Sequence, residues 1–175
     1  MRPATSERSH GFTIIELMTA IVIIAILVAI VFGAVGYLRG RARRGQCMAN
    51  LRALHVAAEN YRDQHGTWPQ IRRKDYPDAH AHANAWIDAF SAYGVQRSTW
   101  ICPSVQELVE EKDYSTPEKA RVDYIAMPFD DKPMTPHQWE RQPWFVEIGD
   151  VHGSGNLMIF PDGSISDLKT VTAGG

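Results

Sequence analysis

Apolar positions along this chain are segregated into one N-terminal block. From Leu17 to Leu38 the sequence LMTAIVIIAILVAIVFGAVGYL runs for 22 residues without a charge. A helix rising about 1.5 Å per residue over that length crosses a hydrocarbon core of roughly 30 Å, so the block predicts a membrane-spanning helix. Beyond Arg39, Arg41, Arg43 and Arg44 the pattern changes. Cys47, Leu51, Leu54, Ala58 and Tyr61 follow helical steps of four and three, which places them on one face of an amphipathic continuation. Gly66 and Pro69 stop it. The pattern therefore predicts one long helix from Phe12 to about His65, apolar all round at first and two-faced afterwards. No proline falls between Phe12 and Pro69. Gly33 and Gly36 are either soft points of this helix or, with Ala29 and Ala34, a close packing face.

The rest of the chain is less periodic. HANAWIDAFSAYG predicts a short helix ending at Gly94. The stretch STPEKARVDYIAMPFDDKPMTPHQWERQPW, with five prolines, reads mostly as loop and short strand. WFVEIGDV, residues 144–151, predicts a strand, and NLMIFPDGSISDLKTV predicts two more around an Asp162-Gly163 hairpin turn. Three antiparallel strands would bury one face against the Cys47–Tyr61 stripe. The expected fold class is α+β, a long N-terminal helix packed on a small C-terminal antiparallel sheet.

Composition adds bounds. Of the 175 residues 45% are hydrophobic and 22% charged, with a net charge of −2 and two cysteines, which describes a folded chain and excludes a broadly basic, nucleic-acid-coated protein. The mean hydropathy of −0.26 averages the apolar block with an ordinary polar remainder. About 135 residues after Arg39 suffice for one domain. A removable secretory signal is the alternative to a retained anchor, but its apolar region would usually be shorter and would lead to a small-residue cleavage site rather than into arginines.

The segment MRPATSERSHG-FTIIELMTAIVII carries the sharpest chemical signal. Glu16 sits inside the apolar block, where a buried acid costs roughly 2.5–3.5 kcal/mol even on lenient insertion scales. A short basic leader ending in Gly11, then Phe12, then Glu16 four residues on resembles the processing signal of type IV prepilins and type II secretion pseudopilins. The resemblance implies that residues 1–11 are a leader removed by a prepilin peptidase, that Phe12 becomes an N-methylated terminus, and that Glu16 attracts the terminal ammonium of a neighbouring subunit during assembly. Physically, Gly11 lacks a Cβ and lets a protease approach the backbone. The new ammonium at Phe12 in apolar surroundings needs a counter-charge, which Glu16 can supply. The plainer alternative is that Glu16 snorkels to the headgroups.

The resemblance also implies the organisation: leader 1–11, transmembrane half 12–38, amphipathic half 39–66 and a pilin-like head 67–175. It places the leader in the cytoplasm and the head in the periplasm, on the far side of the inner membrane. The four arginines after the span argue the other way by the positive-inside rule. The orientation with the head outside is expected because the cleavage site must meet a cytoplasm-facing peptidase.

A second resemblance lies in the head. Cys47-x-x-Asn50-Leu51, Tyr61, His65-Gly66, Pro69, Cys102-Pro103-Ser104 and His152-Gly-Ser-Gly-Asn156 followed by Phe160 and Asp162-Gly163 look like the prepilin-type proteins expanded in planctomycetes. With the head outside the cytoplasm, Cys47 and Cys102 could form one disulfide; two buried free thiols are the alternative, and zinc is given little weight because no Cys-x-x-Cys pair exists. His80 and His82 are expected on a solvated loop, His152 within the hairpin region, and Asp162 as a turn residue.

No phosphate loop, nucleophile elbow or His-Glu-x-x-His helix is present, so no catalytic residues, metal or cofactor are expected. The Arg39–Arg44 cluster suits anionic lipid better than nucleic acid. The expectation is a non-enzymatic structural subunit of a type II secretion or type IV pilus-like assembly. Its partners would be a prepilin peptidase, other pilin-like subunits, inner-membrane assembly machinery and the lipid bilayer. The alternative is a single-pass anchored extracytoplasmic head that binds a ligand or partner without polymerising.

Overall fold

The computed structural model describes residues 13–173, in two units that divide after Arg39. Helix α1, Ile14–His65, contributes its first part to one unit and its second to the other. In the first unit large apolar side chains such as Leu17, Ile21, Ile24, Val31 and Leu38 are all exposed. The most apolar window has a mean hydropathy of 3.0 and none of it is buried within the chain. Such a helix satisfies its backbone internally and presents hydrocarbon outward, the two conditions for residence in a bilayer. Among the described residues it is the one helix long and apolar enough to cross a membrane.

The second unit is the head. Of the predicted stripe on α1, Cys47, Leu51, Leu54 and Ala58 are fully buried and Tyr61 is partly buried, and Ala57 joins them in the core. The helix ends where Gly66 adopts φ +72° and its N–H reaches Arg62 O at 2.7 Å. Helix α2, Ala79–Ser91, is capped by Asp78, whose carboxylate accepts from Ala81 N. It turns Ala83, Trp86, Ile87 and Phe90 into the same core. Short helices α3 (Pro103–Leu108), α4 (Thr135–Gln138) and α5 (Leu168–Ala173) lie before, within and after the run of strands, respectively.

Four strands form an antiparallel meander in chain order: β1 Tyr124–Ala126, β2 Phe145–Glu147, β3 Leu157–Ile159 and β4 Ile165–Asp167. Together with the long helix they make the α+β, pilin-like architecture. The sheet has one strand more than the sequence pattern predicts. β1 arises in the proline-rich stretch and is three residues long, too short to display a period of two; its pairing continues through Ile148 N to Asp123 O and Met127 N to Trp144 O. β2 is shorter than predicted, because Gly149 at φ +80° turns the chain out of the sheet. Alternation along β2 sends Phe145 and Glu147 inward, both fully buried, with Glu147 opposite Tyr124.

The predicted hairpin joins β3 to β4. Phe160 N donates to Ser164 O and Gly163 N to Phe160 O, and the Asp162 carboxylate accepts from Ser164 N. Only Gly163 has positive φ, so the connection is a three-residue loop rather than the two-residue Asp-Gly turn, which needs positive φ at both positions.

Candidate functional site

Two sites lie in the described residues, one in each unit. At the start of α1, Thr13 N donates to Glu16 Oε2 at 2.8 Å and Thr13 Oγ1 to the same oxygen at 2.7 Å. Glu16 N returns a bond to Thr13 Oγ1 at 3.4 Å. This reciprocal pairing is a capping box: each side chain satisfies a backbone donor that the first helical turn leaves without a partner. It gives Glu16 a role within its own chain.

The second site is in the head. Cys47 on α1, Cys102 at the start of α3, Glu147 at the end of β2 and His152 in the β2–β3 connection place one donor atom each within 4.8 Å of all the others. The two cysteines, both buried, carry free thiols in this structure. His152 Nε2 lies 3.2 Å from Glu147 Oε1, and both side chains are almost completely enclosed. The second carboxylate oxygen, Glu147 Oε2, is buried without a partner at hydrogen-bonding geometry. Burial pushes the Glu147 carboxyl up to about 8, helped by the Cys102 sulfur beside it. The neighbouring Cys47 thiol and burial push Cys102 up. Burial, with the Arg44 charge adding to it, holds His152 below the ordinary imidazole value.

The surroundings hold these groups in place. Cys102 N donates to Asp123 Oδ2 at 2.9 Å, and Asp123 is in turn gripped by Arg121 Nε at 2.7 Å. Asn50 Nδ2 donates to Ile101 O and to the Tyr124 hydroxyl, which is buried next to the cysteines. Asn156 Nδ2 donates to Glu147 O. The connection bearing His152 turns at Gly149, Gly153 and Gly155, all with positive φ. At Gly155 a Cβ would stand 2.8 Å from Leu168 Cβ, so the loop approaches α5 at a distance that only glycine permits.

Residues 7–32 match the family model described as the prokaryotic N-terminal methylation motif. The chain carries a prepilin-type methylation motif. It is therefore prepilin-like at its N-terminus, with a motif tied to a structural rather than an enzymatic class and to a membrane-anchored single-pass arrangement. The match ends within the apolar block and does not extend to the head. No curated protein and no solved structure matches the chain.

Gly11 and Phe12, the predicted processing pair, lie outside the described residues. Glu16 pairs with Thr13 of its own chain, and the Thr-x-x-Glu spacing is a local signature of that pairing. Cys47 and Cys102, expected as a possible disulfide, have their sulfurs within 4.8 Å of each other and are both free thiols. Glu147 carries no motif of its own in the sequence; its alternation with Phe145 along β2 is the one signal of its burial. His152 bonds to Glu147 at the end of β2 rather than within the β3–β4 hairpin. His80 and His82 are on α2 rather than a loop, because Asp78 caps a helix with a buried face there; His80 Nδ1 donates to Ala120 O, and His82 accepts from Trp86 Nε1. Of the arginine cluster, Arg43 pairs with Glu107 and Arg44 with Asp167, so two of the four are held by carboxylates of the head.

Proposed function

We propose that the protein is a non-catalytic structural subunit, pseudopilin or minor pilin-like, of a type II secretion or type IV pilus-like assembly. A prepilin peptidase cuts between Gly11 and Phe12 and methylates Phe12. The mature chain then sits in the inner membrane through residues 12–38 with its head in the periplasm, and joins other pilin-like subunits. The head's motifs resemble those of planctomycete prepilin-type proteins. The observation that carries this reading is the methylation motif at residues 7–32, joined to a helix whose most apolar window has none of its length buried within the chain. The exposed face fits a bilayer before assembly and other helices after it.

The capping box supports a second reading, a single-pass anchored head that binds a partner without polymerising, since Thr13 alone accounts for the carboxylate of Glu16. N-terminal sequencing and intact mass of the protein from native membranes, with and without the host prepilin peptidase, test the processing step common to pilin-like subunits. A methyl-Phe12 terminus that disappears without the peptidase is the expected result. An unprocessed Met1 terminus, or cleavage after residue 38, would sink it.

A further inference from the structure

Glu147 is a fully buried carboxylate with one oxygen left without a partner, facing a pocket otherwise made of two thiols and an imidazole. Leaving such an oxygen unsatisfied costs about 1–3 kcal/mol, so an arrangement of this kind calls for a partner that the two thiols and the imidazole do not supply. A pilin-like structural role does not use it.

We propose that Cys47, Cys102, Glu147 and His152 form a closed tetrahedral site for one zinc ion, which staples helix α1, the start of α3, strand β2 and the β2–β3 loop together. The donor set is two sulfurs, one nitrogen and one oxygen, a combination in which thiolate softness favours zinc over calcium or magnesium. Zinc–nitrogen and zinc–oxygen bonds of about 2.0–2.1 Å put those two donors about 3.3 Å apart in a tetrahedron. His152 Nε2 and Glu147 Oε1 are 3.2 Å apart. The remaining donor separations, all inside 4.8 Å, close to tetrahedral edges by sub-ångström to about one-ångström shifts of side chains.

Four protein donors leave no open position, which distinguishes a structural site from a catalytic one. Binding displaces one proton from each thiol and one from the Glu147 carboxyl; the zinc ion offsets two of the three negative charges so formed, and the remaining one faces the Arg44 charge that acts on His152. The outer partners fit the same role. Tyr124, with its oxygen accepting from Asn50 at 3.4 Å, keeps its own O–H to donate towards Cys47, and Asp123 fixes the backbone of Cys102.

The test uses full-length protein extracted from native membranes in detergent, without chelators. Elemental analysis is expected to give one zinc per chain, and X-ray absorption two sulfur and two nitrogen or oxygen neighbours. Exchange with cobalt should produce thiolate-to-cobalt charge-transfer absorption. Glu147→Gln, nearly isosteric and checked for folding by circular dichroism, should weaken zinc binding by more than the roughly 10–100-fold typical of outer-shell partners. A metal-free protein with a Cys47–Cys102 disulfide, shown by thiol labelling and mass spectrometry, would overturn the site. So would zinc binding that Glu147→Gln and Cys102→Ser leave unchanged. These readouts do not depend on N-terminal processing or on assembly.

Discussion

Gly155→Ala tests whether the approach of the His152 loop to α5 is as tight as the structure shows. Two penalties combine. The residue has φ +90°, a region where an L side chain is strained by about 1–2 kcal/mol. The new methyl would also stand 2.8 Å from Leu168 Cβ and 3.3 Å from Leu168 N. Relief requires the start of α5 to move, which loosens Leu168 N to Asn156 O and Lys169 N to Ser154 O, at the 1–3 kcal/mol typical of overpacking. The sum is about 2–5 kcal/mol. Gly153→Ala is the internal control: its φ of +77° carries similar backbone strain, but nothing lies within 4 Å of its Cβ. Thermal unfolding of the head in the full-length protein, followed by tryptophan fluorescence, separates the two terms. At roughly 4 °C per kcal/mol, Gly155→Ala should melt about 8–20 °C below wild type, and Gly153→Ala about 4–8 °C below. Equal shifts in the two variants would refute the close approach, since only the contact with Leu168 distinguishes them.

Glu16→Gln separates the two roles of the acid, because glutamine serves in a capping box but carries no charge. If a terminal ammonium is recruited by charge, the variant should be processed and inserted normally yet fail to form sedimentable assemblies; normal assembly would leave the capping role alone. Asp167 gives a pH test. Its carboxyl is held below the ordinary value of 3.8 by hydrogen bonds from Thr170. The folded form thus binds fewer protons than the unfolded one, so its contribution is complete above 3.8 and is lost as pH falls through the lowered value. Amide exchange in α5, corrected for intrinsic rates, should therefore accelerate in that acid window in wild type and be already fast at neutral pH in Asp167→Ala; an α5 equally protected in both would contradict it.

The elements legible in the sequence are those whose signal is local. The Cys47–Tyr61 stripe, the stop at Gly66, the short helix before Gly94 and the hairpin around Gly163 all follow from periodicity or from one residue's backbone freedom. β1 escaped because three residues beside prolines carry no period. His80 and His82 were misplaced because the Asp78 cap and the buried Ala83, Trp86 and Phe90 face begin only a few residues away, and the run of alanines and histidines between them has no strong pattern of its own.

The N-terminal motif, the apolar span and the amphipathic continuation were determined by the sequence itself, since each depends on contiguous residues and on the geometry of a single helix. The head cluster was decided by tertiary structure. Cys47 and Cys102 are 55 positions apart and Glu147 follows 45 later, with His152 five beyond it. No spacing rule joins them. They meet because β1–β2 register sets Glu147 against Tyr124, Asp123 holds Cys102 at the mouth of α3, and three left-handed glycines bend His152 back towards the helix that carries Cys47. Local propensity specifies a helix face, but convergence of four separate segments requires the packing of the whole head.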